Sequence, residues 1–259
     1  EDITLTIKDS AGNEVRSYSS AKPKDEDYKD KPGLRKPTPI PANQGANRFV
    51  WDFRYPNATE VPDDTGSMGF AGGVPTGPKA VPGRYTVELK VGDQTLSQEF
   101  QVLADPRTGA SQEDLQEQFD LSIRVRDKLS ELHEGVNKLR RVRKQVDMWI
   151  ERLENDEITQ AGEDLKTKLR EVEDVLIQWR AKAAQDTLNF PVLINAKLAA
   201  LIGMIGAMEG KPTQQAYDVF DDLSRRVDEQ LGKLETVLAE DLPAFNAKVK
   251  EIGADAVAV

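Results

Sequence analysis

The stretch NRFVWDFRYP, residues 47–56, decides how the first hundred residues are expected to fold. Phe49, Trp51 and Phe53 stand at alternate positions, which is the two-residue period of a β-strand with one apolar face. Three aromatic side chains on one face form the largest apolar feature of a region otherwise rich in Pro, Gly and Lys. The pattern predicts that this strand lies in the core of a β-sandwich.

Other strand patterns flank residues 47–56 on both sides. Residues 3–7 and 14–18 alternate in the same way around a turn cluster, which predicts an opening β-hairpin. Residues 84–91 and 96–102 form a second pair around Gly92-Asp93. Together these patterns predict a small antiparallel sandwich of the immunoglobulin type.

Two long loops interrupt the sandwich, at residues 19–45 and 56–83. The first is rich in Lys, Asp and Pro and is expected to be mobile or extended. The second contains GSMGFAGGVP, in which Met68 and Phe70 stand among glycines. Together with Tyr55 they form a candidate interaction loop, because long loops with apolar tips often contact partners. The alternative is that Phe70 packs against the sandwich or the helices.

The sequence period changes from two to about 3.5 after a linker at residues 105–110. Ser111 begins a motif resembling a capping box, and Arg143 is the one break in a heptad stripe. The apolar stripe consists of Leu129, Leu132, Val136, Leu139, Val146, Ile150 and Leu153. The first helix should be roughly 65 Å long at 1.5 Å per residue. Helices are predicted at about 111–154, 158–188, 191–208, 213–241 and 243–252.

The predicted fold class is therefore α+β and multidomain. An N-terminal immunoglobulin-like β-sandwich, residues 1–104, is followed by an antiparallel α-helical bundle with one long helix, residues 111–259. Turns of a few residues between the helices predict antiparallel neighbours.

Composition excludes several classes of function. The formal net charge of −10 argues against nucleic-acid binding, which needs a basic face. The absence of cysteine excludes disulfides and thiol catalysis, and a single histidine excludes a metal site built from several histidines. No stretch is long and apolar enough to be expected to insert into a membrane. The chain begins without Met and directly in a strand pattern, so it is expected to be part of something longer.

The charged motifs each allow a functional and a structural interpretation. His133 is expected to be a partly exposed or flanking residue of the long helix. A basic run in that helix is either an anion-binding patch or a solvated face balanced by acids of the next helix. The run comprises Lys138, Arg140, Arg141, Arg143 and Lys144, and the balancing acids would be Glu163, Asp164, Glu171 and Glu173. Arg143 is expected to reach solvent or to mark a register shift.

Acidic turns are the remaining candidates for ion binding or catalysis. Asp63-Asp64 and Glu154-Asp156-Glu157 could bind calcium or could be solvated turns, and no EF-hand spacing occurs. A glycosidase needs two carboxylates across a cleft, and nothing in the sequence marks such a pair. No catalytic, cofactor-binding or metal-binding residue is therefore predicted.

Several segments resemble a known family. ITLTIKDSAGNEVRSY, NRFVWDFRYP and VPGRYTVEL are similar to the FlgD-like immunoglobulin fold. The helical segments resemble the C-terminal region of bacterial BNR-repeat, sialidase-like or sortilin-like β-propeller proteins, which are described as glycosyl hydrolases. These segments are DPRTGASQEDLQEQFDLSIRVRD, NAKLAALIGMIG, KPTQQAYDVFDDLSRRVDEQL and DLPAFN.

The resemblance implies a non-catalytic accessory or interaction module that follows a β-propeller domain of the same chain. Hydrolase chemistry would belong to that propeller, and the location would be extracytoplasmic, either periplasmic or secreted. Two alternatives are a carbohydrate- or peptide-binding module that uses loop 56–83, and an oligomerisation module that associates through the helical bundle. No cofactor is implied by any of the three.

Overall fold

The computed structural model describes residues 2–29, 36–62, 64, 66–68 and 75–252. It confirms the α+β class, with a small antiparallel sheet in the N-terminal part and a helical region after it. The strands are β1, Ile3–Lys8, β2, Glu14–Ser19, β3, Gly83–Val91, and β4, Gln94–Val102. The order across the sheet is β2-β1-β3-β4.

Short turns fix both hairpins of the sheet. In the β1–β2 turn, the Asp9 carboxylate accepts hydrogen bonds from the backbone N–H groups of Ala11 and Asn13, both at 2.9 Å. Gly12 in that turn has a φ of 84°, a conformation that glycine adopts without strain. The β3–β4 hairpin closes with Gly92-Asp93, and Val91 pairs with Gln94 directly beside that turn.

One face of the sheet carries its apolar core. Trp51 lies over this face, with ring centroids 5.6 Å from Tyr85 and 6.1 Å from Phe100. Ile7, Val15 and Ala80 complete the buried cluster. Trp51 therefore anchors the layer that covers the sheet, as its position among the aromatics predicted.

The predicted strand at residues 47–56 is wrong. This segment forms only an isolated β-bridge between Arg54 and Lys79. The Asp52 carboxylate accepts a hydrogen bond from the Arg54 N–H at 3.1 Å, and Phe53 adopts a left-handed φ of 56°. This local turn interrupts the alternation, so Trp51 is buried while Phe53 is 49% exposed. Residues 47–56 cover the sheet as irregular chain.

Among the described residues, five α-helices form the helical region. They are α1, Gln112–Leu153, α2, Asp156–Leu176, α3, Ile194–Ile205, α4, Gln214–Thr236, and α5, Leu242–Glu251. Helix α1 has 42 residues, which is about 63 Å, and begins with the capping box predicted at Ser111. It packs against α2, α3 and α4. The stripe predicted from the heptad pattern is buried from Leu129 to Val146.

Four predicted helix boundaries are wrong. Helix α2 ends at Leu176 instead of 188, because Ile177 is extended and buried, and only a short 3-10 turn, Ala184–Leu188, follows. Helix α3 occupies 194–205 instead of 191–208. The predicted break before the last helix is absent, because a π-helical turn, Val237–Asp241, joins α4 to α5. Pro243 lies in the first turn of α5, where its missing N–H is tolerated.

Candidate functional site

Residues 56–62 lie against one face of α1 and so attach the sheet to the helical region by non-covalent contacts. The polar residues on that face are spaced by three or four positions, so they project from the same side of the helix. They are Arg126, Ser130, His133, Asn137 and Arg140, and we call them the backbone clamp. Such a row is suited to bind a segment that has no secondary structure of its own.

The backbone clamp contacts the segment in chain order. Arg126, His133, Asn137 and Arg140 bond to carbonyl oxygens, and Ser130 accepts from an N–H. The partners in that segment are Pro56 O at 3.0 Å, Thr59 N at 3.1 Å, Thr59 O at 2.5 Å, Glu60 O at 3.0 Å and Pro62 O at 3.1 Å. Buried backbone polar groups need partners, and α1 supplies them here.

Apolar side chains of the same segment enter the helical core. Ala58 is 3% exposed and Val61 is 5% exposed, and both belong to the core cluster that the helices form. The intervening Thr59 donates its hydroxyl hydrogen to the Glu134 carboxylate at 3.1 Å. The first part of loop 56–83 is thus packed onto the helices by apolar burial and by hydrogen bonds together.

His133 is the central member of the backbone clamp. It is 0% exposed, so the expectation of a partly exposed or flanking residue is wrong. Residues 56–62 cover it, a contact that the sequence of α1 alone does not reveal. Because a carbonyl oxygen can only accept, Nδ1 must carry the proton that bonds to Thr59 O. In the neutral ring Nε2 is then unprotonated, and it has no hydrogen-bond partner among the described residues.

The environment of His133 favours the neutral imidazole. Burial lowers the pKa of His133, and this effect exceeds the opposing influence of the hydrogen bond to Thr59 O. The nearby charges act in opposite directions, because Asp64 raises this pKa and Arg140 lowers it. The neutral ring still donates from Nδ1 to Thr59 O, so the contact does not depend on a charge.

A buried carboxylate lies beyond the end of the clamp. Glu173 of α2 is 0% exposed and accepts hydrogen bonds from Arg140 Nε and Arg143 Nη1, both at 2.6 Å. Arg170 Nη1 lies 3.3 Å from the same carboxylate. Arg140 therefore bonds both to the segment 56–62 and to α2, so it connects the clamp to the second helix.

These contacts bear on the two interpretations of the basic run at residues 138–144. The interpretation that acids of the next helix balance it is confirmed at Glu173. Arg143 interrupts the heptad stripe because it binds the Glu173 carboxylate, and its side chain is only 16% exposed. The expectation that Arg143 reaches solvent or marks a register shift is thus replaced by a buried ion pair between helices.

A groove of about 810 Å³ lies between the sheet and the helical region. Its walls come from the second part of loop 56–83, from residues 101–105 and from α1 and α3. Phe53 lines it with a half-exposed ring, and Gln118 and Phe119 line the helical side. The groove has the size and the mixture of aromatic and polar groups of a small-ligand site.

The charged residues that line this groove already have partners. Lys79 pairs with Glu209 at 3.4 Å, and the Arg54 guanidinium donates to Gly77 O at 2.8 Å. The other two pairs are Asp52 with Arg16 at 3.6 Å and Asp105 with Arg107 at 2.6 Å. Apart from Arg54, which bonds to a neutral carbonyl, these charges are balanced by opposite charges, so the groove suits a polar ligand that carries little charge.

The two described residues of the predicted interaction loop, Tyr55 and Met68, pack in different clusters. Tyr55 packs on Phe119 with ring centroids 4.8 Å apart, and burial raises its pKa. Met68 is 4% exposed and belongs to the helical core, so it offers no exposed contact. Phe70 lies outside the described residues. Phe53, which the sequence placed in a core strand, is the exposed aromatic residue instead.

Asp64 and Glu157 of the acidic turns have structural partners. Asp64 accepts a hydrogen bond from the Ser67 N–H at 2.9 Å, Asn155 caps α2, and Glu157 pairs with Lys248 at 2.8 Å. Asp63 lies outside the described residues. Within the part of the chain that the structure describes, no group of three or more acidic or histidine side chains could hold a metal ion. None of the helices described there is long and apolar enough to span a membrane.

Comparison with known proteins finds no matching family model, no matching curated protein and no matching solved structure. The resemblance to the C-terminal region of propeller proteins therefore stays a prediction.

Lowering the pH from 7 to 5 should destabilise the protein through His133. Since its folded-state pKa is lowered, the unfolded chain binds a proton that the folded chain does not, once the pH falls below about 6.5. The contribution of the neutral His133 to the free energy of unfolding is therefore complete above that pH. Below it, this contribution falls by up to about 1.4 kcal/mol per pH unit, until the folded-state pKa is reached. Urea unfolding at each pH measures this slope, and His133 is the only histidine.

His133→Asn is the control for this prediction. An asparagine amide can donate in place of Nδ1 but does not titrate. The variant should be less stable at pH 7 and should lose the slope between pH 7 and 5. An equal slope in both proteins would contradict the assignment.

Replacing Glu173 with Gln should lower the free energy of unfolding by about 3 kcal/mol, because it leaves Arg140 and Arg143 without their counter-charge at a buried position. Denaturant unfolding measures the change. Glu171→Gln is the matched control, since Glu171 is an exposed acid of the same helix and its loss should change stability by less than about 0.5 kcal/mol. If the two substitutions lowered the free energy of unfolding equally, the buried ion pair would contribute nothing to stability.

Proposed function

We propose that the chain is a non-catalytic accessory module of a larger, glycosyl-hydrolase-like β-propeller protein. In this proposal the N-terminal sheet and the aromatic segment that covers it correspond to the FlgD-like immunoglobulin unit. The helices correspond to the antiparallel bundle of the C-terminal region. The module would support and position a preceding propeller.

The observation that carries this proposal is the use of the backbone clamp. The only histidine, an asparagine and two arginines of α1 bind backbone groups of the same chain. These are side chains that could otherwise serve a reaction or a ligand. Their role here is cohesion, which supports a rigid connecting module over an enzyme.

The proposal predicts that the sheet and the helices unfold together. In a Trp149→Phe, Trp179→Phe variant, Trp51 is the remaining tryptophan and reports on the sheet, while far-UV circular dichroism reports on the helices. The two urea transitions should have the same midpoint, because the clamp couples the two regions. Two separate transitions would contradict a rigid connection. The chain should also hydrolyse no glycosidic substrate, and turnover that one substitution abolishes would overturn the proposal.

A second candidate function is carbohydrate or peptide binding by loop 56–83, and the groove favours it. The loop supplies residues 75–82 to the groove wall, beside the half-exposed Phe53 ring. The left-handed backbone at Phe53 is held by a hydrogen bond from Ala80 N to Phe53 O at 2.7 Å. Strained backbone that the surroundings hold in place is common at binding sites.

This second function predicts that the chain binds a neutral oligosaccharide or an uncharged peptide through Phe53. Calorimetric titration of hits from a glycan array and a peptide array should show that Phe53→Ala weakens binding at least about tenfold, since the ring is lost from the groove. Val50→Ala is the control, because Val50 is 71% exposed and does not line the groove. The absence of any binder on both arrays, or equal affinity of the two variants, would remove this candidate.

A further inference from the structure

Strand β4 is an outer edge of the sheet. The strand order places it at one end, with β3 as its neighbour, and no other described strand pairs with it. It has nine residues in continuous register with β3, from Gly83 opposite Val102 to Val91 opposite Gln94. Residues 94–99 are all exposed.

The sequence of β4 lacks the features that usually protect an edge strand. QTLSQEFQV contains no Pro and no Lys, its one charge is Glu99, and the pairing with β3 has no bulge. Such strands can accept another strand. The opposite edge differs, because β2 has six residues with Glu14 and Arg16 among them, and its pairing with β1 is irregular near Lys8.

The β3–β4 turn determines which backbone groups of β4 face outward. Val91 and Gln94 flank a two-residue turn, so they form a hydrogen-bonded pair. Hydrogen-bonded and non-hydrogen-bonded pairs then alternate along the hairpin. The residues whose N–H and C=O groups point away from β3 are therefore Thr95, Ser97, Glu99 and Gln101.

We propose that β4 is the interface of a homodimer. In it, the β4 strands of two copies pair antiparallel about a two-fold axis at Gln98, and the two sheets join into one. This proposal goes beyond the accessory function, and it places self-association at the sheet edge and not on the helices.

The β4 sequence is complementary to itself in this register. All four outward-facing residues find partners, with Thr95 opposite Gln101 of the second copy and Ser97 opposite its Glu99. This gives about eight new backbone hydrogen bonds. A register shifted by two residues toward the C-terminus would place Glu99 of one copy opposite Glu99 of the other. Repulsion between these like charges disfavours that register.

The exposed apolar residue of β4 also gains a partner. Leu96 is 69% exposed, and the axis at Gln98 sets it opposite the ring of Phe100 of the second copy. The helices contact the sheet near the C-terminal end of β4. There the Gln112 side chain donates to Pro82 O at 2.9 Å. An antiparallel pairing therefore places the two helical regions at opposite ends of the joined sheet.

The test is the mass of the full chain by light scattering across a concentration series, with amide hydrogen exchange at both ends of the series. We expect twice the monomer mass at high concentration. At high concentration only, exchange should slow at the outward-facing amides, which are those of Thr95, Ser97, Glu99 and Gln101. The amides of Leu96 and Gln98 bond to β3, so they should be protected at every concentration.

Ser97→Pro removes one outward-facing N–H per copy and leaves the bonds to β3 intact, a position where an edge strand tolerates proline. The dissociation constant of the dimer should rise about thirtyfold, and Ser97→Thr, which keeps the N–H, should leave it unchanged. Leu96→Lys provides a second test that does not alter the backbone, and it should also weaken the dimer. A concentration-independent monomer, or a dimer that tolerates both Ser97→Pro and Leu96→Lys, would overturn the proposal.

Discussion

The hydrogen bonds between α1 and the backbone of residues 56–62 are the interaction on which the rest of the structure depends. A segment without secondary structure cannot be buried unless its polar groups find partners. The backbone clamp provides them at intervals of one helical turn, and this allows Ala58 and Val61 to enter the helical core. The position of the sheet, of Phe53 and of the groove beside it follows from this attachment.

The ion pair at Glu173 extends the same logic to α2. A buried carboxylate is unfavourable unless charged donors surround it, and three arginines do so. Arg140 belongs both to this group and to the clamp, so the seating of residues 56–62 and the packing of α2 on α1 are coupled through one guanidinium. A sequence with only apolar residues at these positions could pack the helices but could not hold the segment.

The sequence predicts the helices well and the sheet cover poorly, for physical reasons. The heptad stripe of α1 is a local pattern repeated many times, so its buried face could be identified. The alternation in residues 47–56 has the same appearance as a strand, but one side-chain bond at Asp52 turns the chain and exposes Phe53. The apolar pattern predicts too late an end for α2, because the next apolar residue, Ile177, is buried in an extended conformation.

The candidate site was harder to predict, because its two parts lie far apart in the chain. The polar residues of the clamp share one helix face, and that regular spacing was a signal available in the sequence. Read alone, His133 and Arg143 look like exceptions to an apolar pattern. Their roles depend on contacts with Thr59 and Glu173, which are distant in the sequence, and no local sequence pattern indicates either contact.

The distance along the chain between the clamp and its segment also bears on how the molecule is made. Thr59 bonds to Ser130, 71 residues later, and Pro62 bonds to Arg140, 78 residues later. During synthesis, residues 56–62 leave the ribosome long before the middle of α1 exists. Residues 56–62 therefore remain undocked until α1 has been made, and their docking then carries the entropic cost of closing a loop of more than seventy residues.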